Sequence, residues 1–195
     1  MSYKEKYLKY KKKYLDLKKE SIIMGGKPLR NFDDYKYHPD IYYVDLSDLI
    51  YLPHINDNFC NNYTNLRYIN LSPLSKITTI RSYFINNCES LKSIDLSGLT
   101  QLTTINHFFM HSCNSLTSVD LSGLIKLETI GYNFMENCSS LNSIDLSGST
   151  QLTTINSNFM YGCTSLTSIN LSNLTKHDDN NSFLQGCIKL KIIDL

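Results

Sequence analysis

Apolar residues in this chain recur in a fixed order that neither a 3.6 nor a 2.0 period can span. In the clearest copy the order is Leu91, Ile94, Leu96, Leu99, Leu102, Ile105 and Phe109, and it returns at 25-residue intervals. Cys88, Cys113, Cys138 and Cys163 keep the same interval, with Cys187 following after 24. A fixed period of that length signals stacked units, each too small to bury its own apolar face. Upstream, the register reaches Tyr63, Leu66, Ile69 and Leu71, then His38, Ile41, Val44 and Leu46. Units therefore start near His38, Tyr63, Cys88, Cys113, Cys138 and Cys163, six in all, with a partial seventh from Cys187.

Within a unit, alternation and β-branching around Ile94 predict a short strand over Ser93 to Ser97, with Ile94 and Leu96 inward. Ser97-Gly98 then turns the chain. Leu99, Leu102 and Ile105 recur at threes and predict an arc that returns across the coil. Phe109, with copies at Phe59, Phe84, Phe134, Phe159 and Phe183, fills the far side. Coils stacked about 4.8 Å apart, each strand hydrogen-bonding with its copy, would close a continuous core. The expected fold is a parallel β solenoid over residues 31–195.

The pattern Cys-x-x-Leu-x-x-Ile-x-Leu, then Leu-x-x-Ile and Phe before the next Cys, resembles leucine-rich repeats of the BspA-like, Treponema-type class over residues 38 to 195. Two departures stand out: Ser-Gly follows the strand where many relatives place Pro, and the unit is slightly long. The resemblance implies a leucine-rich-repeat solenoid that binds rather than catalyses. The favoured expectation is a non-enzymatic protein-protein interaction scaffold with a protein partner of unknown identity. The alternative is an adhesive or structural component of a virus particle.

Charge divides the chain. Residues 1–20 hold eight lysines against Glu5, Asp16 and Glu20, a net of +5, which leaves −4 on the remainder of a chain whose total is +1. The boundary falls where Gly25, Gly26 and Pro28 interrupt any helix, so residues 1–30 read as a basic arm and linker. Tyr3, Tyr7, Tyr10, Tyr14 and Leu17 are spaced as a heptad seam, which predicts a short helix with Lys11, Lys12 and Lys13 off the seam. Three readings of the arm stay open: docking to a partner, contact with nucleic acid or an anionic membrane, and a frayed tail. Its sequence, ending in Gly25-Gly26, resembles the N-termini of many mimivirus-type giant-virus proteins. That resemblance implies a viral origin and double-glycine cleavage. It sets the expected location in the host cytoplasm, a virus factory or the particle. No secretory signal or run of about 18 apolar residues is present.

The candidate chemistry is sparse. The cysteines are too far apart in sequence for a metal motif, so buried thiols filling small core slots are the expectation, with Cys60 in the slot of Met110, Met135 and Met160. No cofactor is expected. Asp95, Asp120 and Asp145 lie between inward residues of successive strands and should point outward, flanked by Ser93, Ser97, Ser118, Ser122, Ser143 and Ser147. This row reads either as a binding face for a cation or basic partner, or as charge that keeps the sheet soluble. His107 and His111 are four apart but fall in the return arc, which favours a surface role over ligation. No nucleophile elbow or phosphate loop occurs, and the polar departure at His177, Asp178 and Asp179 lacks a nucleophile. The last strand, Lys189 to Leu195, is expected to support weak self-association.

Overall fold

The structure, a computed structural model of the 195-residue chain, describes residues 42–46, 54–171, 176–177 and 182–194. Each complete coil contributes two short strands, a three-residue one followed by a two-residue one. The front series is β1 (Tyr43–Asp45), β3 (Tyr68–Asn70), β5 (Ser93–Asp95), β7 (Ser118–Asp120), β9 (Ser143–Asp145), β11 (Ser168–Asn170) and β13 (Ile192–Asp194). The back series is β2 (His54–Ile55), β4 (Thr79–Ile80), β6 (Thr104–Ile105), β8 (Thr129–Ile130), β10 (Thr154–Ile155) and β12 (Lys176–His177). Every pairing is parallel and joins a residue to its copy one unit away, as in Ile80 with Ile105 and Val119 with Ile144. The expected solenoid is present. The helical arm, the unit start at His38 and Asp178 and Asp179 lie outside the described residues.

Two features differ from the sequence reading. The stretch through Leu99, Leu102 and Ile105 is not simply an arc, because Thr104–Ile105 forms a strand of a continuous six-stranded sheet, β2-β4-β6-β8-β10-β12. It escapes detection because two residues are too few for alternation to show. The front strands are shorter than expected and pair only in groups: β1-β3-β5, β7-β9 and β11-β13. Leu71 N–H reaches Asp95 O at 2.8 Å and Leu121 N–H reaches Asp145 O at 2.8 Å, tying coils within a group. Between β5 and β7 the coils stand further apart. A Cβ on Gly98 would collide with Ser72 O, and one on Gly148 with Ser122 O, whereas one on Gly123 would lie 3.7 Å from Ser97 O. At that seam Ile94 is only half-buried, while Ile69, Val119 and Ile144 in its column are buried.

Columns of equivalent side chains form the core. Phe59, Phe84, Phe109, Phe134, Phe159 and Phe183 stack face to face with centroids 5.1–5.8 Å apart. Leu74, Leu99 and Leu124 form another column, which Ser149 interrupts; it is 1% exposed and its hydroxyl has no hydrogen-bond partner.

Beside the phenyl column the backbone turns left-handed at every second residue. Asn58, Cys60 and Asn62 have φ of 60°, 51° and 63°, and Tyr83, Ile85 and Asn87 repeat them at 60°, 51° and 56°. L-residues rarely take these angles, and for β-branched Ile85 they are a clear outlier. Hydrogen bonds to neighbouring coils hold them there. Tyr83 N–H donates to His107 O at 2.9 Å and Asn87 N–H to His111 O at 2.9 Å, while Ile85 N–H points the other way, to Phe59 O at 2.8 Å.

The cysteines complete this arrangement. Each thiol donates to the carbonyl of the central left-handed residue one coil back: Cys88 to Cys60 O at 3.0 Å, Cys113 to Ile85 O at 3.2 Å, Cys138 to Met110 O at 3.1 Å, Cys163 to Met135 O at 3.2 Å and Cys187 to Met160 O at 3.2 Å. A thiol is small and apolar enough to bury, yet still a weak donor. Alanine would leave that lone pair bare, and serine would cost more to desolvate.

Two outcomes follow from this packing. Ser149→Leu should restore the interrupted column and remove an orphan hydroxyl, raising stability by about 1.5–3 kcal/mol. A higher urea midpoint at unchanged slope is the expected reading, and a lower one would mean the coils have closed over the slot. Loss of solvent on burial raises the thiols of Cys60 and Cys113 well above their usual range and Cys88 to about 12, with Cys163 and Cys187 also raised. Unfolded thiols ionise near pH 8.5, so above that pH the folded chain holds more protons than the unfolded one. Stability is therefore complete below about pH 8.5 and falls as pH rises toward 12, by up to about 1.4 kcal/mol per pH unit for each such thiol. Urea midpoints measured from pH 7 to pH 10 should show the fall, and Cys88→Ala with Cys113→Ala should make it shallower, with Cys60, Cys163 and Cys187 retaining the rest.

Candidate functional site

Two surfaces compete for the role of contact face, and the front sheet is the one the sequence singles out. Ser93, Ser118 and Ser143 open β5, β7 and β9, and Asp95, Asp120 and Asp145 close them, with Ser97, Ser122 and Ser147 two residues further on. Asp120 and Asp145 are register partners, whereas Asp95 and Asp120 lie on either side of the seam. The carboxylates do not simply project into solvent. Asp95 Oδ1 accepts from Ser97 N–H at 3.0 Å and Ser97 Oγ at 2.7 Å. Asp120 Oδ1 accepts from Ser122 N–H at 2.9 Å and Ser122 Oγ at 2.6 Å, and Asp145 Oδ1 from Ser147 N–H at 2.9 Å. These are side-chain caps on the turn that follows each strand. Asn70 Oδ1 does the same for Ser72 N–H at 2.9 Å, which explains why Asn shares the slot.

The candidate arm contacts, Tyr3, Tyr7, Tyr10, Tyr14, Lys11, Lys12 and Lys13, lie outside the described residues. At the last described coil, β13 pairs with β11 along one edge, and Ile188, Ile192 and Ile193 are exposed.

The second surface is the edge made by the left-handed turns. Here side chains at positions 57, 58, 61 and 62 of the first described coil, and at their copies, project from a rigid backbone. Most are Asn or Ser. The middle coils depart from that rule and place Tyr83, His107, Phe108, His111 and Tyr132 together. Tyr83 and Phe108 stack at 4.7 Å with planes 6° apart, His107 lies against Tyr132 at 4.8 Å, and Phe108 meets His111 edge-on at 5.9 Å. Tyr83 is 39% and Tyr132 43% exposed.

Both histidines of the group are held by a neighbouring coil. Tyr132 N–H donates to His107 Nδ1 at 3.0 Å, which leaves the proton of a neutral imidazole on Nε2. A Cβ on residue 131 would stand 2.8 Å from that Nδ1 and 2.7 Å from Asn106 C, so Gly131 is what admits the ring. On the adjacent column Asn86 Nδ2 donates to Asn61 Oδ1 at 3.2 Å. That turns Asn86 Oδ1 toward His111 Nδ1 at 2.9 Å and makes Nδ1 the donor. His111 Nε2 then faces Glu136 Oε2 at 3.9 Å, and Asn133 Nδ2 donates to the same carboxylate oxygen.

The histidines are therefore surface residues, as expected, but fixed ones. Sequence reasoning missed the group because each aromatic was judged alone. The available signal was the departure of five residues from columns in which several sibling coils carry Asn or Ser. Among the described residues, no three His, Cys, Asp or Glu side chains stand close enough to hold a metal ion, and no helix is long and apolar enough to cross a membrane.

The family model described as "BspA type Leucine rich repeat region" matches residues 53–195 in six copies. No curated protein matches. Among solved structures, a leucine-rich repeat protein from Bacteroides ovatus is similar at 20% identity with a TM-score of 0.51, over 74% of this chain and 41% of that one. The T. pallidum leucine-rich repeat protein is similar at 20% identity and 0.47, over 72% of both chains. One from Eubacterium ventriosum is similar at 17% and 0.49, over 72% of this chain and 45% of that one. The chain thus spans less than half the length of the first of these.

The front-face capping has a direct check. Asp120→Ala should cost about 1 kcal/mol of stability by baring the Ser122 N–H, whereas Asp120→Asn should be nearly neutral because Asn70 already does this work. Equal losses in urea titrations would show that charge, not capping, matters there.

Proposed function

This chain belongs to the BspA type leucine-rich repeat family, and from that premise we propose that it is a non-enzymatic protein-interaction scaffold whose contact surface is the turn edge around Tyr83, Phe108 and Tyr132. One observation carries the reading. Where sibling coils carry Asn in the Tyr83 and Phe108 column and Asp, Ser or His in the Tyr132 column, three successive coils place rings, and neighbouring coils hold the histidines between them. Tyrosine is enriched among the residues that dominate protein interfaces, since a large ring with two rotatable bonds loses little entropy on docking. The backbone beneath is locked by hydrogen bonds running to both neighbouring coils, so its ordering is complete before any partner arrives.

The front face supports the reading less well, because its carboxylates and several of its serines are engaged in capping their own turns. Nothing in either surface assembles a nucleophile, a base and an oxyanion site.

Replacing the three rings with residues that sibling coils carry, Tyr83→Asn, Phe108→Asn and Tyr132→Ser, should leave the unfolding free energy from urea titration within about 1 kcal/mol of the parent. The same triple variant should lose the proteins that the parent captures from an extract of the source organism. Retention of an unchanged set of proteins would overturn the assignment of the edge.

A further inference from the structure

We propose that His107 is a proton-operated latch on the turn edge, closed while its imidazole is neutral and released when the ring takes up a proton. The inference rests on the interaction reading above and adds how that surface is regulated.

One register step defines the latch. At the first described coil Asp57 Oδ1 accepts from Ser82 N–H at 2.8 Å, and two coils on His107 Nδ1 accepts from Tyr132 N–H at 3.0 Å. In both cases a side chain caps the backbone N–H of the residue 25 positions later. A carboxylate oxygen still accepts as the pH falls through the range in which an ordinary imidazole protonates. An imidazole does not, because both of its nitrogens become donors once it is charged. His107 thus puts a proton-sensitive acceptor where the first coil has an insensitive one.

The geometry gives the charged ring no way to stay. Tyr132 N–H can only donate, so a proton on His107 Nδ1 sets two N–H groups head to head. Turning the ring over brings a C–H to the same place and does not restore the bond. Nor is there room to back away, since a Cβ on Gly131 would already stand 2.8 Å from Nδ1. His107 is half-buried, so the open direction is outward. By leaving, the imidazole removes the flank of Tyr132, whose ring centroid lies 4.8 Å from its own. One of the three rings of the contact edge then loses its support, while Tyr83 and Phe108 remain stacked on one another at 4.7 Å.

No charged neighbour offsets this. The outward titratable or charged side chains on the edge segments packed around His107 are Arg81, Tyr83 and Glu89 on the coil before, His111 on its own coil, and Tyr132 and Glu136 on the coil after. Among the described residues no carboxylate forms an ion pair with His107, and the nearest imidazole to Glu136 Oε2 is that of His111, whose Nε2 stands 3.9 Å away. His111 is the internal contrast. Its Nδ1 donates to Asn86 Oδ1 at 2.9 Å, so a second proton adds a donor without removing an acceptor in use.

The test is amide hydrogen exchange by NMR on the isotope-labelled full chain at pH 8 and pH 5, expressed as protection factors so that the intrinsic pH dependence of exchange cancels. Tyr132 N–H should lose protection by about five- to tenfold at pH 5, the worth of one such hydrogen bond. Asn133 N–H, which donates to Ser157 O at 3.0 Å, should keep its own. His107→Asp copies the cap at Asp57 and should hold Tyr132 equally at both pH values, while His111→Gln should leave the parent's response in place. The latch is overturned if Tyr132 in the parent is equally protected at both pH values, if Asn133 shares the loss, or if the response follows His111. Its effect on docking has its own readout: proteins captured at pH 8 should elute from the parent at pH 5 and stay on His107→Asp, and elution from both alike would overturn the regulation. Should the ring variant lose captured proteins while Tyr132 stays protected at pH 5, the latch falls and the interaction surface stands. Should Tyr132 lose protection while the ring variant captures an unchanged set, the interaction surface falls and the latch stands.

Discussion

Register between coils is the constraint from which the rest of this molecule follows. A 25-residue coil has too few apolar groups to fold alone, so each must present its backbone and side chains in line with the copies above and below. The parallel pairing of Ile55, Ile80, Ile105 and Ile130 keeps that alignment on the back sheet. Once those residues are in line, the phenyl rings, leucines and thiols fall into columns without further specification. An insertion of one residue would displace every column at once, which explains why the spacing is kept through the middle of the chain even where surface residues change.

The same constraint allows the backbone to hold angles it would otherwise avoid. Left-handed residues such as Ile85 and Met110 are unfavourable in isolation, and short tight coils cannot close without them. Donors and acceptors from adjacent coils meet at those residues, with the thiol of the following coil satisfying the last carbonyl lone pair. The cysteine ladder is thus a backbone device and not a reagent, and the low reactivity expected of buried thiols agrees with this role.

How much of this could be read beforehand depends on whether a feature leaves a mark in residue identity. The core columns were legible because burial demands an apolar residue at the same place in every unit. The second sheet was not, since Thr104–Ile105 and its copies are too brief to alternate. The front seams were illegible for a different reason: Ser97-Gly98, Ser122-Gly123 and Ser147-Gly148 are identical in sequence yet sit at different distances from the coil before. Left-handed positions were half-legible, signalled by Asn58, Asn62, Asn87 and Gly162 but hidden at Cys60 and Ile85, which look like ordinary core. The aromatic edge was legible only as a set of exceptions. His107, Gly131 and Tyr132 appear unrelated along the chain, and their mutual fit emerges only when positions one unit apart are laid side by side.

The unequal sheets have a mechanical consequence. A load applied along the stack meets an unbroken ladder of backbone hydrogen bonds through β2, β4, β6, β8, β10 and β12, but on the opposite side strand pairing is interrupted between β5 and β7 and between β9 and β11. The back acts as a tether and the front as a set of hinges. Bending therefore concentrates at the seam flanked by Asp95 and Asp120, where like charges already push apart, and the molecule yields by spreading its front face while the spine behind it keeps its length.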